Sequence, residues 1–247
     1  EINKFHSTFI DSIQRYVHKG RIHSEINQLR SDQGGTVSGR LSYSNPNLQQ
    51  IPARNKEFGN KIRSLFLPEE GRQWGSFDYS QQEPRLVAHY AASVDNTFEG
   101  AAEFIEAYKN ESADFHQIVA DMAGITRTQA KTINLGLFYG MGKAKLAKEL
   151  GITKDKAENL LRQYGERVPF VKKLATDVSS SASKYGFIRT IRGRKCRFDM
   201  WEPSTFGMNK AMQYEEAKAI YGNNIRRAFT YKALNRLIQG SAADQTK

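Results

Sequence analysis

The apolar residues downstream of residue 84 recur at helical intervals, and this constrains the chain more than any other feature. Phe115, Ile118, Val119 and Met122 fall three and four positions apart and stop at Gly124, the pattern of an amphipathic helix closed by glycine. Thr126 and Gln129 follow with the spacing of a capping box, which predicts a new helix from Arg127. Phe98, Ala101, Ile105 and Tyr108 share a helical face, and residues 155–164, 170–185 and 206–231 read as further helices. Before residue 84 the texture differs. Residues 1–60 mix short apolar runs with Gly, Asn and Pro, predicting hairpins and loops after a helical start over 4–16. Residues 62–67 and 74–77 read as short strands about a turn at 68–71, and 187–198 as a hairpin turning at Gly193. The fold class is α+β, helix-rich, with a small sheet near the middle.

Composition narrows the partners. The 37 Lys and Arg against 26 Asp and Glu give a formal charge of +11 over 247 residues. That balance favours a polyanion such as nucleic acid; the plain alternative is a basic protein with no such partner. The single cysteine, Cys196, excludes an internal disulfide and fits a reducing, cytoplasmic setting. No apolar run approaches the roughly 20 residues of a membrane span, and no signal peptide opens the sequence. It begins at Glu1, so it reads as an internal piece of a longer chain.

Four segments carry chemistry. In DYSQQEPR, residues 78–85, Asp78 follows an expected strand, and a carboxylate held at a strand end can present its oxygens to a hard cation such as Mg²⁺. The competing reading makes Asp78 a helix cap, and Ser80 with Glu83 has capping-box spacing. In RTQAKTINLGLFYG, residues 127–140, Arg127, Lys131, Leu135 and Tyr139 step by four along one helical stripe, basic then apolar. Cations can meet phosphates there and the apolar half a base; an ordinary solvated amphipathic helix is the alternative. Residues 36–55 are rich in amides, with Arg40 after a glycine and Arg54 after a proline, groups suited to the nearly sequence-independent acceptors of the minor groove. A polar loop with Asn-Pro turn chemistry explains them equally. Asn235 and Gln239 in NRLIQGSAAD lie four apart on an expected helix, either as DNA contacts or as polar surface. Arg189, Arg192, Arg194, Lys195 and Arg197 crowd the expected hairpin, facing phosphate or water.

Taken together and in this order, the segments resemble the family A DNA polymerases, the group of bacterial DNA polymerase I and several phage replicases. The resemblance runs from about Gly20 to Asp244, and its most specific part is DYSQ-x-E-x-R followed by Arg-x-x-x-Lys and Tyr-Gly. It implies a palm with an antiparallel sheet and helical fingers, divided as 1–95, 96–185 with the nucleotide helix 127–140, and 186–247. It implies a DNA-templated DNA polymerase core, acting in replication or repair, that joins a dNTP to a primer 3′-OH with two Mg²⁺ ions. Asp78, Glu83 and Lys131 would be catalytic, with Asp78 and the Tyr79 carbonyl as metal ligands and Glu83 as a steric gate against the ribose 2′-OH. Arg127, Lys131 and His116 would meet the triphosphate; Leu135, Tyr139, Arg54 and Gln81 would complete the nucleotide site. Arg40, Asn47, Gln49, Asn235 and Gln239 would contact primed template DNA.

The sequence departs from the family pattern in places. Leu135 stands where relatives usually carry Phe or Tyr, Gln82 and Pro84 where the family's motif A, here residues 78–85, is usually apolar, and Tyr231 where bacterial relatives tend to carry Arg; these changes lean towards phage relatives. Pro84 has no N–H and must lie in a first helical turn. The family's His-Asp-Glu motif, with the second metal-binding Asp, does not occur before Lys247, and the thumb and exonuclease regions would precede Glu1. Asp199 and Asp244 are candidate substitutes. The expectation is a fragment weak or inactive alone, completed by a C-terminal polymerase piece. A non-catalytic DNA-binding remnant is one rival; a single-subunit RNA polymerase is another, disfavoured by Glu83.

Overall fold

The structure is a computed structural model. It describes residues 6–32, 34–52, 57–93, 101–109, 114–138, 141–205, 207 and 210–247, apart from the side chains of residues 103, 104, 107, 108, 135, 137 and 138. Two compact units result, Glu1–Tyr79 and Ser80–Lys247.

The first unit opens with a π-helical turn, His6–Asp11, running into the short helix α1, Ser12–Gln14. Strands β1, Val17–His18, and β2, Arg21–Ile22, pair antiparallel. Lys19 and Gly20 both take positive φ between them, the conformation that matches a tight hairpin turn to strand twist. Strands β3, Glu25–Asn27, and β4, Ser42–Ser44, form a second pair with Ile26 opposite Tyr43. The first of the two strands expected over 62–67 and 74–77 is not formed: helix α2, Phe58–Arg63, reaches into it and residues 64–67 are turn and irregular. The second is also absent: residues 72–79 have no regular structure. A strand must place its N–H and C=O groups on a neighbour, and among the described residues none pairs with this segment. Trp74 and Phe77 are exposed, Phe77 by 97%.

The second unit is helical. Helix α3, Gln82–Ser93, carries Leu86, Val87, Ala88 and Ala91 into the core. Pro84 occupies its first turn, as its missing N–H requires. Then come α4, Ala101–Lys109; α5, Phe115–Ala123; and α6, Arg127–Phe138. Ala101 and Ile105 do turn inward; Phe98 and the Tyr108 side chain lie outside the described residues. Helices α7, Lys143–Leu150; α8, Lys154–Arg167; and α9, Pro169–Tyr185, complete this layer. Phe115, Ile133, Tyr164, Phe170 and Leu174 are wholly buried in it.

Strands β5, Phe187–Arg189, and β6, Lys195–Arg197, form the expected hairpin with Gly193 at φ +81°. The long helix expected over 206–231 is not formed. Strand β7, Trp201–Pro203, pairs with β8, Ile225–Arg227, around a short helix α10, Tyr214–Tyr221. Gly222 at φ +60° ends that helix, and the Arg227 guanidinium lies 4.6 Å above the Trp201 ring. Cross-strand pairing thus outweighs a helical period in the sequence. Helix α11, Ala233–Thr246, follows and buries Leu234, Leu237 and Ile238. Among the described residues, the small sheet expected mid-chain is not formed, and the strands make four two-stranded antiparallel pairs, two in each unit. The class remains helix-rich α+β.

Candidate active site

Asp78 and Tyr79 close the first unit. Both are exposed, and Asp78 sits in an irregular segment, not at a strand end as its context suggested. Glu83 opens the second unit from the first turn of α3, where a carboxylate is favoured by the helix dipole. Helix α3 begins two residues after Ser80, and Gln81 supplies its first carbonyl acceptor, to the Arg85 N–H at 3.0 Å. Gln81, rather than Ser80, therefore precedes the first residue of α3. Gln81 holds φ +53°, a conformation unfavourable to a residue with a Cβ by about 1 kcal/mol. Its side-chain oxygen accepts the Phe115 N–H at 3.0 Å, tying the start of α3 to that of α5.

The corner between α5 and α6 gathers most of the predicted phosphate-binding groups. Asp114 caps α5, its Oδ1 accepting the N–H groups of His116 at 2.9 Å and Gln117 at 3.2 Å. Its Oδ2 accepts both Nε and a terminal nitrogen of Arg127, at 2.9 and 2.7 Å. Burial pushes the Asp114 carboxyl up, but the Arg127 hydrogen bond, the two N–H donors and the Arg127 charge outweigh it and hold it below its usual range. Gly124 at φ +65° ends α5, and Thr126 with Gln129 closes the predicted capping box at the start of α6. This reversal sets His116 beside Arg127 and Lys131. Burial is the main cause lowering the His116 pKa; the two cations add to it and Asp114 opposes it. The imidazole is consequently neutral near pH 7. Lys131 is exposed, and among the described residues no ion pair engages it.

The remaining predicted residues are scattered. Asn47 caps a 3₁₀ turn, its Oδ1 accepting the Gln49 N–H at 3.0 Å, while the Gln49 amide donates to the Leu41 carbonyl. Arg40 is exposed in the loop before β4. Asn235 and Gln239 lie half-buried on α11. Arg54, Tyr139 and the Leu135 side chain lie outside the described residues. Asp244 is no substitute metal ligand: its carboxylate binds Arg194 at 2.8 Å and accepts from the Thr190 hydroxyl. Asp199 is exposed, and among the described residues no cluster of three or more His, Cys, Asp or Glu could hold a metal ion.

The model for DNA polymerase family A matches residues 1–247. The chain belongs to DNA polymerase family A. Among relatives of this family A chain, a DNA-directed DNA polymerase of Pseudomonas phage M6 is 37% identical over the whole chain, which spans 41% of that protein. DNA polymerase DpoZ of Vibrio phage phiVC8 is 32% identical, with 92% of the chain and 35% of the relative covered. DNA polymerase I of Geobacillus stearothermophilus is 33% identical over the whole chain and 26% of its own length. The polymerase domain of Pol1 from M. smegmatis, solved in complex with DNA primer-template and dNTP, is similar with a TM-score of 0.68 and 32% identity, covering 95% of the chain and 38% of that structure. The chain thus spans well under half of each relative. Among the described residues, no helix is long and apolar enough to cross a membrane.

Two residues of this family A chain make contacts that the sequence reading did not predict. Asn134 is wholly buried on α6, and its amide meets the His116 ring and the Tyr164 hydroxyl. Gln82 donates to the Ala242 carbonyl at 3.1 Å and to Gln245 Oε1 at 3.2 Å, fastening α3 to the end of α11. An Asn inside the apolar run INLGLF was the available signal for the first; the departure from an apolar motif A was the signal for the second.

Proposed function

We propose that the chain is the palm-and-fingers core of a DNA-templated DNA polymerase, transferring a nucleotidyl group from a dNTP to a primer 3′-OH in replication or repair. The observation that carries this reading is the α5–α6 corner. It brings Arg127, Lys131 and a neutral His116 together at the surface, a set that suits a triphosphate: two cations and a neutral N–H donor. The subdomain boundaries 1–95, 96–185 and 186–247 are part of the proposal, as is an intracellular, cytoplasmic setting. Primed template DNA would lie against Arg40, Asn47, Gln49, Asn235 and Gln239. Arg54, Gln81, Leu135 and Tyr139 would complete the nucleotide site.

Mg²⁺ takes few protein ligands and fills its shell with phosphate oxygens and water. Asp78 and the Tyr79 carbonyl are oxygen donors of that kind, and the exposed carboxylate leaves room for them. When bound, two such ions would stabilise the attacking and leaving oxygens of an in-line displacement. Arg127, Lys131 and His116 would hold the triphosphate and offset charge on the departing pyrophosphate. Glu83, fixed in the first turn of α3, would crowd a ribose 2′-OH. A C-terminal polymerase piece would bring a second carboxylate.

Primer extension tests this on a primed template with dNTPs and Mg²⁺. It compares this chain with one extended through the His-Asp-Glu motif of the family. Extension by the longer chain, abolished by Asp78→Ala, is the expected result. A longer chain that binds primed DNA yet adds no nucleotide would replace the enzyme with a DNA-binding module.

A further inference from the structure

Asn134 has no exposed surface, and both ends of its amide are engaged. On one side stands Tyr164 of α8, only 1% exposed, whose hydroxyl donates to Asn134 Oδ1. On the other, Asn134 Nδ2 lies 3.2 Å from Nδ1 of His116. The two contacts determine one another. A hydroxyl cut off from water must give its proton to a neighbour, and burial drives the Tyr164 pKa strongly upward, so the group stays an O–H donor. The oxygen of the amide therefore faces Tyr164 and its NH₂ faces His116. An amide NH₂ only donates, so Nδ1 must accept, and the ring proton is left on Nε2.

We propose that Asn134 and Tyr164 are positioning residues that hold His116 as the neutral Nε2–H tautomer, so that the ring offers one N–H donor to the phosphate oxygens gathered by Arg127 and Lys131. This rests on the nucleotide-site reading above. Among the described residues, the groups acting on the ring come from three directions. Asp114 lies one residue before it, Arg127 and Lys131 approach from α6, the Phe115 ring stands edge-on at 5.4 Å, and Asn134 closes the Nδ1 side. Protonating Nδ1 would set N–H against N–H₂. The relay thus opposes an imidazolium just where two cations already do. A neutral donor adds a hydrogen bond to a triphosphate without a third charge for the fold to desolvate.

The tautomer is directly readable. Long-range ¹H–¹⁵N correlation spectra of the chain with ¹⁵N-labelled histidines distinguish Nε2–H from Nδ1–H, and His116→Gln assigns the signal. The wild-type chain is expected to show Nε2–H alone. Tyr164→Phe removes the hydroxyl that orients the amide, so both tautomers should then appear. Asn134→Asp places an acceptor against Nδ1; it should move the proton to Nδ1 and raise the proton affinity of the ring about 10-fold or more. An Nδ1–H signal in the wild type overturns the proposal, and so does a tautomer unaffected by either variant. The wild-type spectrum alone keeps the test decisive if a variant fails to fold. Adding dATP with Ca²⁺ separates the two readings: an Nε2–H ring that ignores nucleotide leaves the relay standing and sinks the nucleotide site.

Discussion

Arg194 in the β5–β6 turn and Asp244 on α11 are fifty residues apart in the chain and meet at 2.8 Å. The same carboxylate accepts from the Thr190 hydroxyl, and Arg194 also donates to the Gly240 carbonyl at 3.0 Å. Ser241 Oγ accepts the Ile191 N–H at 3.1 Å and lies 2.7 Å from the Tyr90 hydroxyl. The hairpin is thereby latched to α11 and, through Tyr90, to α3.

The Asp244 side chain is only 9% exposed, while that of Arg194 is 38% exposed. Removing the arginine strands a nearly buried carboxylate, the costly way to break such a pair. Arg194→Leu should therefore destabilise the chain by about 1–3 kcal/mol. Asp244→Asn, which keeps an acceptor for Thr190, should lose less. Urea denaturation of both variants checks the order.

His116 makes stability depend on pH with a definite sign. Its folded pKa lies below the ordinary value, mainly through burial, so below about pH 6.5 the unfolded chain binds more protons than the folded one. The contribution is complete above that value and is lost as pH falls through and beneath it. Asp114, also depressed, acts only near the lower carboxylate range. Urea midpoints at pH 5 and 7 should differ more for the wild type than for His116→Gln. Parallel curves would contradict a half-buried, neutral imidazole.

Sequence reading succeeded where structure is local. The Gly124 stop, the Thr126–Gln129 box and the Gly193 hairpin all lie within a few residues of their signals. It failed where a distant partner decides. Residues 74–77 have strand composition but no strand beside them among the described residues. The period over 206–231 gave way to pairing between Trp201 and Arg227. The candidate site divides in the same way. Arg127 and Lys131 could be put on one helical stripe from their spacing and His116 only from the family resemblance, whereas Asn134 depends on a hydroxyl thirty residues away and Gln82 on a carbonyl 160 away.

Asp114 joins the α5 cap to Arg127, so its replacement has two components. Losing the cap costs about 1 kcal/mol, and the half-exposed ion pair adds between about 0 and 1. Asp114→Ala should lower the melting temperature by roughly 2–8 °C for a chain of this size. Asp114→Asn, which retains Oδ1 as an acceptor, should lose the smaller part. Thermal denaturation followed by circular dichroism distinguishes the two.

Arg127 and Lys131 are one helical turn apart but differ in what already holds them. Arg127 donates two nitrogens to Asp114, so a triphosphate must share or displace a partner; Lys131 is exposed, with no ion pair among the described residues. In the extended polymerase, Lys131→Ala removes a charge available to the leaving phosphates. If the proposed site holds, it should lower kcat by about 10²–10³ with little change in fold. Arg127→Lys should behave differently, because an ammonium cannot reproduce the paired donors of a guanidinium. It should weaken the Asp114 contact, lower stability and raise the KM for dNTP. Steady-state incorporation kinetics alongside denaturation separates these outcomes. Equal losses of kcat in both variants, with unchanged stability, would show that Asp114 does not hold Arg127 in solution.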